Sequence, residues 1–121
     1  SAAIHQAQRD GSALAVLYLD IDRFKAINDD HGHASGDAAL VAVGERLRAA
    51  IRQHDLAFRL GGDEFAVLLA PMSGHDQAGM VVDRIRQEMA QPFRLPSGLF
   101  ATSTLSIGAS NSSSLMRDGA G

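Results

Sequence analysis

Residues 59–69 read RLGGDEFAVLL. With Leu56, Ala57 and Phe58 before it, the stretch is an apolar run, a Gly-Gly break, two adjacent acids and a second apolar run. That pattern predicts a β-hairpin over 56–69 with a glycine-rich turn. Phe65, Val67 and Leu69 alternate with Ala66 and Leu68, and all five read as core, with Pro71 ending the second strand. Glycine has no Cβ, so the backbone at Gly61 and Gly62 can turn tightly and let a bulky ligand pass close. Asp63 and Glu64 are sequence neighbours, so on extended backbone their side chains diverge. Arg59, just before the turn, reads equally as a structural side chain or as one facing a phosphate.

Working outward, residues 37–53 place Leu40, Val43, Leu47 and Ile51 three or four apart, the apolar face of a helix. Ser35 precedes it as N-cap. Residues 23–36, RFKAINDDHGHASG, read as a short polar helix running into a loop. Residues 13–22, ALAVLYLDID, read as a buried strand ending in acids. Residues 1–11 read as the end of a helix closed by Gly11. In the other direction, residues 75–91 form a helix with Val82, Ile85 and Met89 on one side, stopped by Pro92. Residues 93–110 predict a second hairpin turning at Pro96-Ser97-Gly98, with Leu99, Ala101, Leu105 and Ile107 on one face. The tail 111–121 carries no usable period. The order strand, helix, helix, hairpin, helix, hairpin predicts an α/β (α+β) domain. Its sheet is mixed and largely antiparallel, of about five strands, with helices on both faces.

The bulk numbers set bounds. A chain of 121 residues fits one domain, and 45% hydrophobic residues suffice for a core. The formal net charge of -3 argues against a nucleic-acid surface, which needs a basic patch. It leaves room for a phosphate ligand, because a bound cation inverts the local field. With no cysteine, disulfides and thiolate metal sites are excluded, and a reducing compartment is compatible. No apolar run approaches the ~20 residues of a membrane span, and no signal peptide is visible.

The acids are the chemistry-bearing residues. Asp20 and Asp22 stand at the carboxyl end of the first strand, where ligand sites of open sheets lie. If the hairpin pairs with that strand, Asp63 and Glu64 converge on them. Carboxylates packed together repel, and must protonate or share a cation. Hard oxygen donors without a His or Cys cage favour Mg²⁺ over zinc. Two alternatives stay open on the residues alone: a plain hairpin turn with solvated strand-end acids, or a metal-phosphate site. His31 and His33, one residue apart with no matching partners, read as surface. Arg52 and Asp55, three apart near a helix end, can form an ordinary ion pair worth ~0.2–0.5 kcal/mol.

Four stretches together resemble the GGDEF family of diguanylate cyclases. GGDEF at 61–65 matches the motif that names the family. DIDRFKAINDDHGHASGD at 20–37 resembles its other long motif almost throughout. RQHD at 52–55 resembles its RxxD inhibitory motif, and TLSIG at 104–108 a late strand. The likeness spans residues 13–108. It implies a fold like the adenylyl cyclase catalytic domain and the polymerase palm. It implies an enzyme that condenses two GTP into cyclic di-GMP and releases pyrophosphate, with Mg²⁺ (or Mn²⁺) as cofactor. Each domain would hold one GTP, so catalysis would need a homodimer.

Position by position, the resemblance implies that Asp20 binds the metal through its carboxylate and Ile21 through its carbonyl. Asp63 would be a metal ligand and proton acceptor, and Glu64 a further ligand. Asn28 and Asp37 would read guanine, with His33 also at the substrate and Phe24 and Lys25 along the phosphates. Arg52 and Asp55 would hold cyclic di-GMP at an inhibitory site. The domain is expected to be cytoplasmic, with no nucleic-acid partner and no membrane contact, though its parent may be membrane-anchored. Residues 1–121 would be one domain, short at both ends: no DxLT-type turn precedes the first helix. NSSSLMRDGAG holds no counterpart of the family's Lys and Arg segment for the nucleotide phosphates. The alternative function is a non-catalytic module that binds GTP or cyclic di-GMP and regulates a multidomain, GGDEF-EAL-type signalling protein.

Overall fold

The computed structural model describes residues 15–70 and 77–111. The helix read over 1–11, the stop at Pro71, the start of the helix at 75 and the tail beyond 111 lie outside them. The elements are β1 (Ala15–Ile21), α1 (Phe24–His31), α2 (His33–Ala50), β2 (Leu56–Gly61) and β3 (Glu64–Leu69). They continue with α3 (Gln77–Met89), β4 (Phe93–Arg94), β5 (Phe100–Ala101) and β6 (Leu105–Asn111). The main sheet has four strands in the order β2-β3-β1-β6, and β4 and β5 form a separate pair. Every described pairing is antiparallel.

Side chains alternate across a strand, and register decides which faces meet. Leu17 pairs with Val67, Leu19 with Phe65 and Ile107, and Ile21 with Leu105. These form one apolar face. Against it pack Val43 and Leu47 of α2 and Val81, Ile85 and Met89 of α3. The described helices cover this one face, where the sequence predicts cover on both. The opposite face carries buried Val16, Ala66 and Leu68 beside exposed Tyr18, Leu56 and Phe58.

Three local predictions shift. Helix α2 starts at His33, not Asp37, because the break is a single residue: Gly32 at φ 90°. Ser35 is therefore no cap but a buried residue of the first turn. The buried stripe of α3 is led by Val81, with Val82 beside it at the margin. The second hairpin does turn at Pro96–Gly98, closed by Leu95 N–H donating to Leu99 O at 2.7 Å. Its strands are two residues each, and Leu99 is exposed. The chain then leaves the pair, and Leu105 and Ile107 join the main sheet beside β1. Phe93 and Leu95 pack on Ala39 of α2 instead. Arg46 fastens this corner by donating to the carbonyls of Glu88, Gln91 and Pro92 while lying 5.7 Å from the centre of the Phe93 ring.

Candidate active site

The hairpin pairs with β1, the condition on which its acids approach those at the end of that strand. Asp20 sits directly opposite Glu64 in the β1–β3 register, and both are exposed on the open face. The Ile21 N–H donates to the Asp63 carbonyl at 3.2 Å, which docks the hairpin tip on the end of β1. The turn is made by Gly62 at φ 52°, a left-handed conformation that favours glycine. A register shift between Arg59 and Gly61 tightens it. Arg59 braces the tip by donating from Nε to the Gly62 carbonyl at 2.8 Å.

Like charges directly opposite on a sheet destabilise it unless something neutralises them. Asp20 and Glu64 are such a pair, with hard oxygen donors of the kind Mg²⁺ takes. Among the described residues no three acids or histidines close on one point. The convergence of all four acids expected from the sequence is thus reduced to the facing pair Asp20 and Glu64. Asp22, grouped with Asp20 from sequence, is elsewhere. Its carboxylate accepts Thr104 Oγ1 at 2.5 Å and Ser106 Oγ at 2.6 Å. The Ser106 and Thr104 hydroxyls, helped by the charge of Arg86, hold this carboxyl below the usual carboxylate range against the effect of burial.

Helices α1 and α2 carry the residues expected at the nucleotide. Asn28 is half-buried on α1, and its side chain lies against Gly36 of α2. A Cβ built on Gly36 would stand 2.8 Å from Asn28 Cγ and closer still to Oδ1. Asp37 follows Gly36 directly and is exposed, as are His33 at the start of α2 and Lys25 on α1. Phe24 packs its side chain against both apolar clusters. It seats the start of α1 in the core.

The RQHD segment links α2 to β2. Asp55 is 4% exposed and both its oxygens are engaged. Oδ2 accepts the Arg52 backbone N–H and Nε, each at 2.8 Å. Oδ1 accepts Arg52 Nη2 and the Ala70 N–H, also at 2.8 Å. Arg52 Nη2 further donates to the Ala70 carbonyl at 3.1 Å. Burial pushes the Asp55 carboxyl up, but the Arg52 guanidinium and the Ala70 and Arg52 N–H groups outweigh it and hold it low. The expected ligand role of Asp55 thus meets a buried carboxylate that clamps the end of β3.

A family model described as the diguanylate cyclase GGDEF domain matches residues 1–119. The chain belongs to the GGDEF family. TpbB, a diguanylate cyclase of Pseudomonas aeruginosa, is 47% identical over 108 residues, 89% of this chain and 25% of TpbB. A structure of the TpbB GGDEF domain alone superposes with a TM-score of 0.88 at 42% identity, covering 98% of this chain and 73% of that one. MucR of the same organism, a bifunctional diguanylate cyclase and cyclic di-GMP phosphodiesterase, is 43% identical over 77% of this chain and 13% of MucR. The DgcB GGDEF domain of Caulobacter crescentus, solved with cyclic di-GMP, has a TM-score of 0.82 at 26% identity, covering 96% of this chain and 72% of that one. This GGDEF domain therefore spans a quarter or less of these curated relatives.

In this GGDEF domain the structure adds residues that sequence reasoning passed over. Gly36 seats Asn28, the hydroxyls of Thr104 and Ser106 hold Asp22, and the Ala70 backbone completes the shell of Asp55. The spacing of two between the hydroxyls, at the entry to β6, was the one signal available for Thr104 and Ser106.

Proposed function

We propose that the domain condenses two GTP into cyclic di-GMP, acting as a dimer in which each copy holds one nucleotide. The observation that carries this is the register: Asp20 opposite Glu64, with the Asp63 backbone bonded to Ile21. In the proposed reaction a ribose hydroxyl of one GTP attacks the α-phosphorus of the other. Its proton passes to Asp63, the bond to pyrophosphate breaks, and the same step in the other direction closes the ring. Asp20, Glu64 and the Ile21 carbonyl would hold Mg²⁺ or Mn²⁺, which offsets triphosphate charge and lowers the pKa of a bound hydroxyl. Guanine presents an acceptor at O6 and donors at N1 and N2. The Asn28 amide and Asp37 carboxylate complement that edge, and adenine would leave them unpaired. His33 and Lys25 are exposed on the same two helices. Arg52, with 29% of its side chain exposed, is the proposed grip on product at an inhibitory site, and Asp55 orients it.

Full-length parent protein incubated with GTP and Mg²⁺ is expected to form cyclic di-GMP, and Asp63→Ala to lose it. Persistent product in that variant removes Asp63 from the chemistry. NbdA, a cyclic di-GMP phosphodiesterase of Pseudomonas aeruginosa, is 43% identical over 100 residues, and that likeness favours a second reading, in which the domain binds nucleotide to regulate a neighbour. Calorimetric GTP binding without product at high protein concentration would select it.

A further inference from the structure

We propose that Asp22 is a positioning residue, latched by the hydroxyls of Thr104 and Ser106, that sets the turn carrying the Ile21 carbonyl and Lys25. The latch stands on geometry alone; its consequence for nucleotide rests on the function proposed above.

Only Asp22 and Arg23 separate β1 from α1. Arg23 takes φ 57°, ψ 32°, the sole non-glycine residue among those described with positive φ. A side chain with a Cβ is strained there, and persists only where its surroundings dictate it. Residue 22 is where they do. The Asp22 N–H donates to Thr104 O at 3.0 Å, and Ser103 Oγ donates to Asp22 O at 3.2 Å. Thr104 Oγ1 and Ser106 Oγ each take one carboxylate oxygen at 2.5 and 2.6 Å, lengths of charge-assisted O–H···O⁻ bonds. Side chains two apart on extended chain share a face, so the entry to β6 presents both hydroxyls to one carboxylate. On the other side, the Ile21 N–H is bonded to the hairpin tip. The turn is thus fixed between β6 and the hairpin, and α1 leaves it with Lys25 in its first turn. An asparagine here keeps the shape but offers one acceptor where two are used.

The test uses full-length parent, Asp22→Ala, Asp22→Asn and the Thr104→Val/Ser106→Ala pair. Amide hydrogen exchange over 21–25 without nucleotide is expected to speed up at least tenfold in Asp22→Ala and in the paired variant, with β3 unchanged. In turnover, KM for GTP at fixed Mg²⁺ is expected to rise about tenfold while preference for GTP over ATP stays. Asp22→Asn should fall between. A residue that only supports the fold would lower the folded fraction and leave KM of that fraction alone. Unchanged exchange over 21–25 in a folded variant overturns the latch, and KM within twofold of the parent overturns its role. If the parent makes no cyclic di-GMP, the function proposed above fails and the exchange result alone decides the latch. If Asp22→Ala does not fold, the hydroxyl pair supplies the same two outcomes.

Discussion

A single missing methyl group shapes the end of the domain proposed to read the nucleotide. Gly36 lies inside α2, where alanine is intrinsically favoured by about 1 kcal/mol. Yet a methyl group on residue 36 would stand 2.8 Å from Asn28 Cγ, closer than packed carbons approach. The neighbour that must yield is a side chain, so the protein stays folded and Asn28 leaves its place. Gly36→Ala is therefore expected to change stability by less than about 1 kcal/mol. It is expected to weaken GTP binding about tenfold, roughly 1.4 kcal/mol. In an Asn28→Ala background the same change should cost nothing more, because the space is already vacant. Calorimetric titration of the four proteins checks this, and additive losses would show that Gly36 acts by another route. Asn28 was singled out as a candidate by its motif. Gly36 was not, because the approach of α1 to α2 is a tertiary fact that no local pattern records.

At the scale of elements, the Arg52–Asp55 pair holds the connection between α2 and β2 against the end of β3. Removing this carboxylate takes the acceptor from the Ala70 and Arg52 backbone N–H groups and breaks its bonds to the Arg52 guanidinium, whose Nη2 keeps the Ala70 carbonyl. Asp55→Ala is expected to destabilise by about 3 kcal/mol in urea melts. The sign of the pH dependence follows from its lowered folded pKa. The stabilisation is fully present above the unfolded aspartate value of about 3.9. It is lost as pH falls through the lower folded value. The gap between parent and Asp55→Ala should thus hold from pH 7 to about pH 4 and shrink below; a gap constant into stronger acid would deny the ion pair its contribution. Arg52→Lys, which keeps charge but loses the fork, is expected to relieve product inhibition if Arg52 grips cyclic di-GMP. Inhibition as strong as the parent's would leave the segment a clamp alone. Element order was readable because apolar period distinguishes strand from helix, and the β2–β3 turn because glycine marks it. The partner of β6 was not readable: Leu105 and Ile107 carry the same alternation whether they extend a hairpin or cross to β1. Asp22 was misplaced for a related reason, since its hydroxyl partners are 82 and 84 residues away.

For the molecule as a whole, binding and turnover should scale differently. One domain holds one GTP in the proposed reaction, but the product needs two domains face to face. Ligand that binds only the folded state stabilises it by mass action, about 2.7 kcal/mol at a hundredfold excess over Kd. For a domain of this length that is a Tm rise of roughly 10 °C. The rise should require divalent cation, disappear with EDTA, and not depend on protein concentration, because each copy binds alone. The open pair of Asp20 and Glu64 makes cation dependence the expectation, since two facing carboxylates repel a triphosphate until charge is offset. Turnover per domain should instead climb in proportion to protein concentration until pairing saturates. Dilution of the domain below its pairing constant, with sedimentation confirming monomer, separates the two. A Tm shift that persists while cyclic di-GMP synthesis per domain vanishes is the expected outcome; a rate per domain that stays constant through the monomeric range would mean that one copy contains everything the reaction needs.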